Sequence, residues 1–124
     1  MSRKPLIMIV EDDLDLQILL KNIFKSDYDV TLCENGLEGL KALEEGPKPD
    51  LIIADIMMPL LNGLTMVDAI KKHQGTEDIP VIFLTAKSTP ADVIEGINVG
   101  AKYYITKPFK IDEVVSKVKR ILKT

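Results

Sequence analysis

The sequence predicts an α/β fold: five parallel strands alternating with five helices that cover both faces of one sheet. Three observations carry this. Short apolar runs alternate from end to end with segments whose apolar residues recur at helical spacing. The run Leu51-Ile-Ile-Ala54 is apolar without a break, as in a strand covered on both faces. No repeat, linker or low-complexity stretch interrupts the alternation. Such an order implies a parallel sheet with right-handed crossovers.

The elements follow in turn. Leu6-Ile-Met-Ile-Val10 is a short β-rich run that leads straight into Glu11-Asp12-Asp13. Leu16, Leu19, Leu20, Ile23 and Phe24 then mark a helix, which Asp12 or Asp13 could cap. Residues 28–33 read as a second strand, and Asp29 and Glu34 suit a sheet edge. Gly36 begins a helix carrying Leu37, Leu40 and Leu43, which stops at Gly46-Pro47. The unbroken strand ends at Asp55, and Asn62-Gly63 closes the loop behind it with a turn signal. Leu64, Val67 and Ile70 mark the third helix, ending near Gly75. Pro80 opens the fourth strand, Val81–Leu84, where a proline is tolerated. Thr89-Pro90-Ala91-Asp92 is a helix start, with Thr89 as cap, and Val93, Ile94 and Ile97 are expected to face the core. Residues 102–105 form a more polar fifth strand. In the last helix Ile111, Val114, Val115, Val118, Ile121 and Leu122 keep i, i+3, i+4, i+7 spacing.

Composition narrows the function. The 124 residues suit one compact domain spanning 1–124, and 46% hydrophobic content supplies a largely aliphatic core, with three Phe, three Tyr and no Trp. A net charge of -3 argues against a domain built to hold nucleic acid. The lone Cys33 excludes an internal disulfide and a multi-cysteine zinc site, and reads as an inert buried thiol. The five apolar residues after Met-Ser-Arg-Lys-Pro are too few for a signal peptide or a membrane span, so a cytoplasmic protein is expected. His73, the only histidine, has no partner pattern and receives no catalytic role.

The strand ends carry the chemistry. Glu11-Asp12, Asp55, Thr85 and Lys107 all follow strands at the C-terminal edge, where ligands bind in open parallel sheets. Each has an ordinary alternative: Glu11-Asp12-Asp13 as a helix cap, Asp55 as a solvated loop residue or cap, Thr85 as a strand-end hydroxyl, Lys107 as a solvated turn residue. One site explains all of them together. Clustered carboxylates repel, and a divalent cation relieves the conflict; an all-oxygen site with open positions suits Mg2+. With a lysine and a hydroxyl opposite, these are the requirements for phosphoryl transfer, and an aspartate can itself be the nucleophile. There is no G-x-x-x-x-G-K-[ST] loop and no G-x-G-x-x-G.

These motifs make the chain resemble the receiver domain of bacterial two-component response regulators. The resemblance rests on Val10-Glu11-Asp12-Asp13, Asp55-Ile-Met-Met-Pro-Leu-Leu-Asn-Gly63, Leu84-Thr85-Ala86, Gly100-Ala101 and Lys107-Pro108-Phe109, and it covers nearly the whole chain. It implies a flavodoxin-like (βα)5 three-layer sandwich with strand order 2-1-3-4-5. It also implies Asp55 as phosphoacceptor and Asp12 as direct Mg2+ ligand. Glu11 would act through a metal-bound water, and the Met57 backbone carbonyl would also ligate. Thr85 would hydrogen-bond the phosphoryl group, Lys107 would pair with it, and Tyr104 would be the switch aromatic. A cis Lys107–Pro108 bond is implied too. Asp13 lengthens the acidic run; Glu11 and Asp12 are chosen because they directly follow the strand.

The expected function is a phosphorylation-controlled receiver that switches the face of helix 4, strand 5 and helix 5. The expected donor is a sensor histidine kinase or a histidine phosphotransfer protein. The output is expected to be a downstream protein or an output domain absent from these 124 residues, which are either a stand-alone receiver or a fragment of a longer regulator. No membrane or direct nucleic-acid binding is expected. Lys102-Tyr103 replaces the acidic residues of the winged-helix regulators, so their charge-paired dimer is not implied, and a phosphorylation-dependent homodimer stays open. Met57 and Lys87 flank the path of the hydrolytic water in this family, and here neither can orient or deprotonate it. Self-dephosphorylation should therefore be slow. Two alternative functions make different demands on these residues. A haloacid-dehalogenase-type aspartyl-phosphate hydrolase needs a second Asp where Met57 stands. A phosphorylation-independent binding module usually lacks one of the key residues, and all are present here.

Overall fold

The computed structural model describes residues 3–124 and contains ten elements. They are β1 (Leu6–Val10), α1 (Leu14–Phe24), β2 (Asp29–Cys33), α2 (Gly36–Glu45), β3 (Leu51–Ala54), α3 (Gly63–Lys72), β4 (Val81–Thr85), α4 (Pro90–Asn98), β5 (Tyr103–Thr106) and α5 (Ile111–Leu122). All neighbouring strands pair in parallel, in the order β2-β1-β3-β4-β5 that the resemblance implied. In register, Val10 lies beside Cys33 and Ala54, and Thr85 beside Thr106, so the C-terminal strand ends share one edge.

The core is split by the sheet. On one face Ile7, Ile9, Ile53 and Leu84 pack with Leu20 and Phe24 of α1 and Val114 and Val118 of α5. On the other, Met8, Val10, Ile52 and Phe83 pack with Leu43 of α2 and Met66, Val67 and Ile70 of α3. Strands β1, β3 and β4 are buried at every position, as expected for parallel strands with both faces covered. No helix among the described residues is long and apolar enough to cross a membrane.

Helix starts follow their caps. The Asp13 side chain accepts from the backbone N–H of Asp15 and Leu16, so Asp13, not Asp12, caps α1. Asn35 and Asn62 cap α2 and α3, and Thr89 with Asp92 forms the capping box of α4.

Three expectations shift. Strand β2 begins at Asp29, because Tyr28 leaves the ladder and packs its ring edge-on against Phe24, with centroids 5.8 Å apart. Strand β5 runs one residue later, to Thr106. The larger correction concerns α4. Ile94 and Ile97 are 60% and 44% exposed, Val93 is only half-buried, and Gly96 is the buried residue of this helix. The cause is the Tyr104 ring, which lies under α4. A Cβ added at Gly96 would stand 2.7 Å from Tyr104 Cε2, so the helix rests its glycine on the ring and turns its isoleucines outward.

Candidate functional site

The site forms where the strand order reverses, between β1 and β3, at the C-terminal edge of the sheet. β1 delivers Glu11 and Asp12, β3 delivers Asp55, β4 ends on Thr85, and the loop after β5 carries Lys107. Carboxylate oxygens of Glu11, Asp12 and Asp55 lie within 4.8 Å of one another. Glu11 and Asp55 are buried, at 2% and 7% exposure, and Asp12 is exposed. Lys107 Nζ donates to Glu11 Oε1 at 2.9 Å and to Asp55 Oδ2 at 2.8 Å. The Lys107–Pro108 bond is cis.

Each acid is held by backbone as well. Asp55 Oδ1 accepts from the N–H of Ile56 at 2.6 Å and of Met57 at 3.3 Å. Glu11 Oε2 accepts from Asp13 N–H at 3.1 Å. The Met57 side chain is 63% exposed at the mouth. The loop after β3 is closed by Gly63, whose N–H donates to the Ile56 carbonyl at 2.8 Å. A Cβ there would lie 2.1 Å from the Asp55 carbonyl oxygen, so only glycine lets α3 start this close to the strand end.

Burial dominates the electrostatics. It raises the Glu11 carboxyl to a pKa of about 7; repulsion from Asp55 adds to this, and hydrogen bonds from Lys107 and Asp13 oppose it. At Lys107 burial favours the neutral amine, yet the hydrogen bonds and charges of Asp55 and Glu11 outweigh it and the pKa is raised. Glu11 and Asp55 thus share one ammonium. Three hard oxygen donors this close, with Asp12 open to solvent, fit a divalent cation.

Thr85 and Tyr104 sit further back and are connected through Lys87. Thr85 is fully buried, and its Oγ1 accepts from Lys87 N–H at 3.3 Å. Tyr104 O–H donates to the Lys87 carbonyl at 2.6 Å, and its ring packs edge-on against Phe83 at 6.1 Å. The Lys87 ammonium lies 3.8 Å from Asp92 of α4. His73 is an exposed residue at the end of α3. One residue close to the acids escaped the sequence reading: Gln17, buried on α1, whose amide reaches the backbone at the ends of β1 and β2. Its only signal was its place on the 17-20-24 face with Leu20 and Phe24.

The family model of the response regulator receiver domain matches residues 7–119. The chain belongs to this family. It is 39% identical over 98% of its length to Histidine kinase P4 of Formosa agariphila, of which it spans 9%. It spans about half the length of the transcriptional regulators it also matches, at 49% and 51% for two of them. Among solved structures, the signal receiver domain of a histidine kinase from Syntrophus aciditrophicus is 38% identical. That match has a TM-score of 0.88 and covers 96% of this chain and 90% of that one. The receiver of a sensor histidine kinase from Pseudomonas aeruginosa is 27% identical, with a TM-score of 0.88 over 98% of this chain and 100% of that one. It was solved with a magnesium ion in its active-site cleft. The receiver described here is thus a domain of signalling proteins, with homologues in both response regulators and histidine kinases.

Proposed function

We propose that this receiver takes a phosphoryl group on Asp55 from the phosphohistidine of a sensor kinase or a histidine phosphotransfer protein. The observation that carries the reading is the Asp55 carboxylate, at a buried strand end, 2.8 Å from Lys107 Nζ and clustered with Glu11 and Asp12. The Asp55 carboxylate attacks phosphorus. A P–O bond forms as the P–N bond to the donor imidazole breaks, and the imidazole leaves with the electron pair. Lys107 pairs with a phosphoryl oxygen, and the Thr85 hydroxyl donates to another. Asp12, Asp55 and the Met57 carbonyl would hold Mg2+ directly, with Glu11 acting through water. Bound there, the ion supplies positive charge to the phosphoryl oxygens.

The switch follows from the Lys87 connection. Drawing Thr85 toward a phosphorylated Asp55 pulls on the Lys87 peptide, to which Tyr104 is tied. A phosphoryl group shifts this element only through differential contact with its two states, and the Thr85 hydroxyl is that contact. The α4–β5–α5 face then changes its affinity for a downstream partner, an output domain or a second copy. Met57 and Lys87 provide no base, so the aspartyl phosphate decays slowly by itself. Residues 1–124 make up a single receiver, working in the cytoplasm without direct contact to nucleic acid. A dehalogenase-type hydrolase is disfavoured because Met57 has no carboxylate to serve as acid and base.

The test is phosphorylation with acetyl phosphate and Mg2+, read by intact mass and peptide mapping. The wild-type protein should gain one phosphoryl group and Asp55→Asn none. Label on another residue, with Asp55 bare, would reject the assignment.

A further inference from the structure

Gln17 is buried, 5% exposed, yet it stands on the core-facing stripe of α1 with Leu20 and Phe24. Its Nε2 donates to the Glu11 carbonyl at 2.6 Å and to the Cys33 carbonyl at 3.1 Å. The need for it comes from the sheet. The Val10 carbonyl accepts from Asp55 N–H at 3.0 Å, and Glu11 N–H donates to the Cys33 carbonyl at 2.9 Å. Past Val10 the strand pairing ends. The Glu11 carbonyl is left at a buried position without a strand partner, and Gln17 is the group that pairs with it. One turn earlier on the same helix, the Asp13 carbonyl accepts from Gln17 N–H at 3.0 Å. The turn Glu11-Asp12-Asp13 is therefore closed from both sides: by β2 through the Glu11 N–H, and by α1 through the Gln17 amide.

We infer that Gln17 is a positioning residue for the acidic turn, setting the direction in which Glu11 and Asp12 present their carboxylates to a divalent cation and to Asp55. The argument is geometric. The Glu11 carbonyl belongs to the peptide unit that joins Glu11 to Asp12. Fixing that oxygen fixes the plane from which the Asp12 Cα–Cβ bond departs. Without the amide donor the peptide is free to turn its carbonyl toward water, and Asp12 turns with it. Groups that orient metal-binding side chains in this way alter affinity about 10–100-fold when removed.

This inference rests on the receiver reading of the acidic cluster, and its test separates the two. Gln17→Met keeps length and removes the donor. Gln17→Glu keeps shape and sets an oxygen against two carbonyl oxygens. Leu20→Ala destabilises the same face of α1 without touching the turn and serves as the control. Mg2+ affinity is read from amide NMR shifts on titration, and stability from urea unfolding. Both Gln17 variants should bind Mg2+ about tenfold more weakly than wild type. Leu20→Ala should lose stability and bind Mg2+ as wild type does. At saturating Mg2+ the acetyl-phosphate reaction of Gln17→Met should recover toward the wild-type rate. If the Gln17 variants fold and bind Mg2+ within twofold of wild type, or no more weakly than Leu20→Ala, the positioning role is overturned. Should Gln17→Met fail to fold, Gln17→Asn, shorter by one methylene, carries the same comparison. If wild type itself neither binds Mg2+ nor accepts phosphate, the underlying reading fails, a result distinct from a Gln17 effect of zero.

Discussion

Gly96→Ala is the substitution whose effect can be worked most directly from the structure. An alanine Cβ would stand 2.7 and 2.9 Å from Tyr104 Cε2 and Cδ2, and 3.2 Å from Phe83 Cδ2. Carbon atoms prefer roughly 3.5–4.0 Å, so the nearest contact is about 1 Å too close. The tyrosine ring is rigid and already rests on Phe83, so it has no room to retreat inward. Either α4 lifts or the ring swings out. Swinging out breaks the hydrogen bond to the Lys87 carbonyl, worth about 1 kcal/mol net, and the edge contact with Phe83, worth about 1 kcal/mol more. Together these cost about 2 kcal/mol of folding free energy. Alanine in place of glycine in a helix returns about 1 kcal/mol, so net stability should fall by about 1 kcal/mol. The assay is urea unfolding combined with the NMR ring resonances of Tyr104, which should move toward those of an exposed tyrosine. A variant more stable than wild type, with unchanged Tyr104 resonances, would refute the reasoning. It would show that α4 yields and that the ring is not wedged.

Asp12→Ala should weaken Mg2+ binding at little cost in stability, whereas Asp13→Ala should cost about 1 kcal/mol through the lost α1 cap and leave Mg2+ affinity nearly intact. Parallel metal titrations and urea curves check both, and the reverse order would move the acidic pair by one residue. Cys33, whose thiol burial raises to a pKa of about 11 from 9.0, stays neutral in the fold while the unfolded chain ionises first. Its contribution is therefore complete below pH 9 and lost between pH 9 and 11, on the order of 2–3 kcal/mol. Over that range the wild-type urea midpoint should fall further than that of Cys33→Ala. For the aspartyl phosphate, Met57→Asn with or without Lys87→Glu should speed decay once the donor is removed. Unchanged decay in the single and double variants would release these side chains from any control of lifetime.

The parts of the site that were legible in the sequence are those marked by a change of residue type. A carboxylate directly after an unbroken apolar run, as at Glu11 and Asp55, can be read because strand and loop differ so sharply in composition. The cap at Thr89 is legible because it acts within three residues of its partner, whereas Asn62, read as a turn signal, proves to be the α3 cap. What was hidden depends on contacts distant in sequence. The apolar residues of α4 at 93, 94 and 97 satisfy helical spacing, but spacing does not say which side of a nine-residue helix meets the sheet. That was decided by the Tyr104 ring arriving from β5. Gln17 was hidden for a related reason. Its role depends on where the ladders of β1 with β2 and β3 both run out, and no single stretch of sequence shows that. The pairing of Lys87 with Asp92 likewise follows from the loop conformation that Tyr104 helps to hold.

The same contacts explain why a divalent cation should be required for phosphorylation, not merely favourable. Lys107 is the cation that Glu11 and Asp55 share, and it already contacts both. Burial nonetheless raises Glu11 to about 7, so one ammonium does not compensate for this much carboxylate taken out of water. Phosphorylation at the proposed acceptor Asp55 would make the imbalance worse, because it would replace a single charge with a phosphoryl group carrying about −1.5 to −2 charges. A proton on Glu11 relieves at most one charge, and only at the acid side of its range. Redirecting Lys107 to the new phosphoryl oxygens withdraws it from Glu11, which is 2% exposed and cannot turn to water for solvation. Positive charge from outside the chain is what remains, and the exposed carboxylate of Asp12 provides a side by which it can enter. Three hard oxygen donors held this close, one of them open to solvent, fit a divalent cation as the source of that charge.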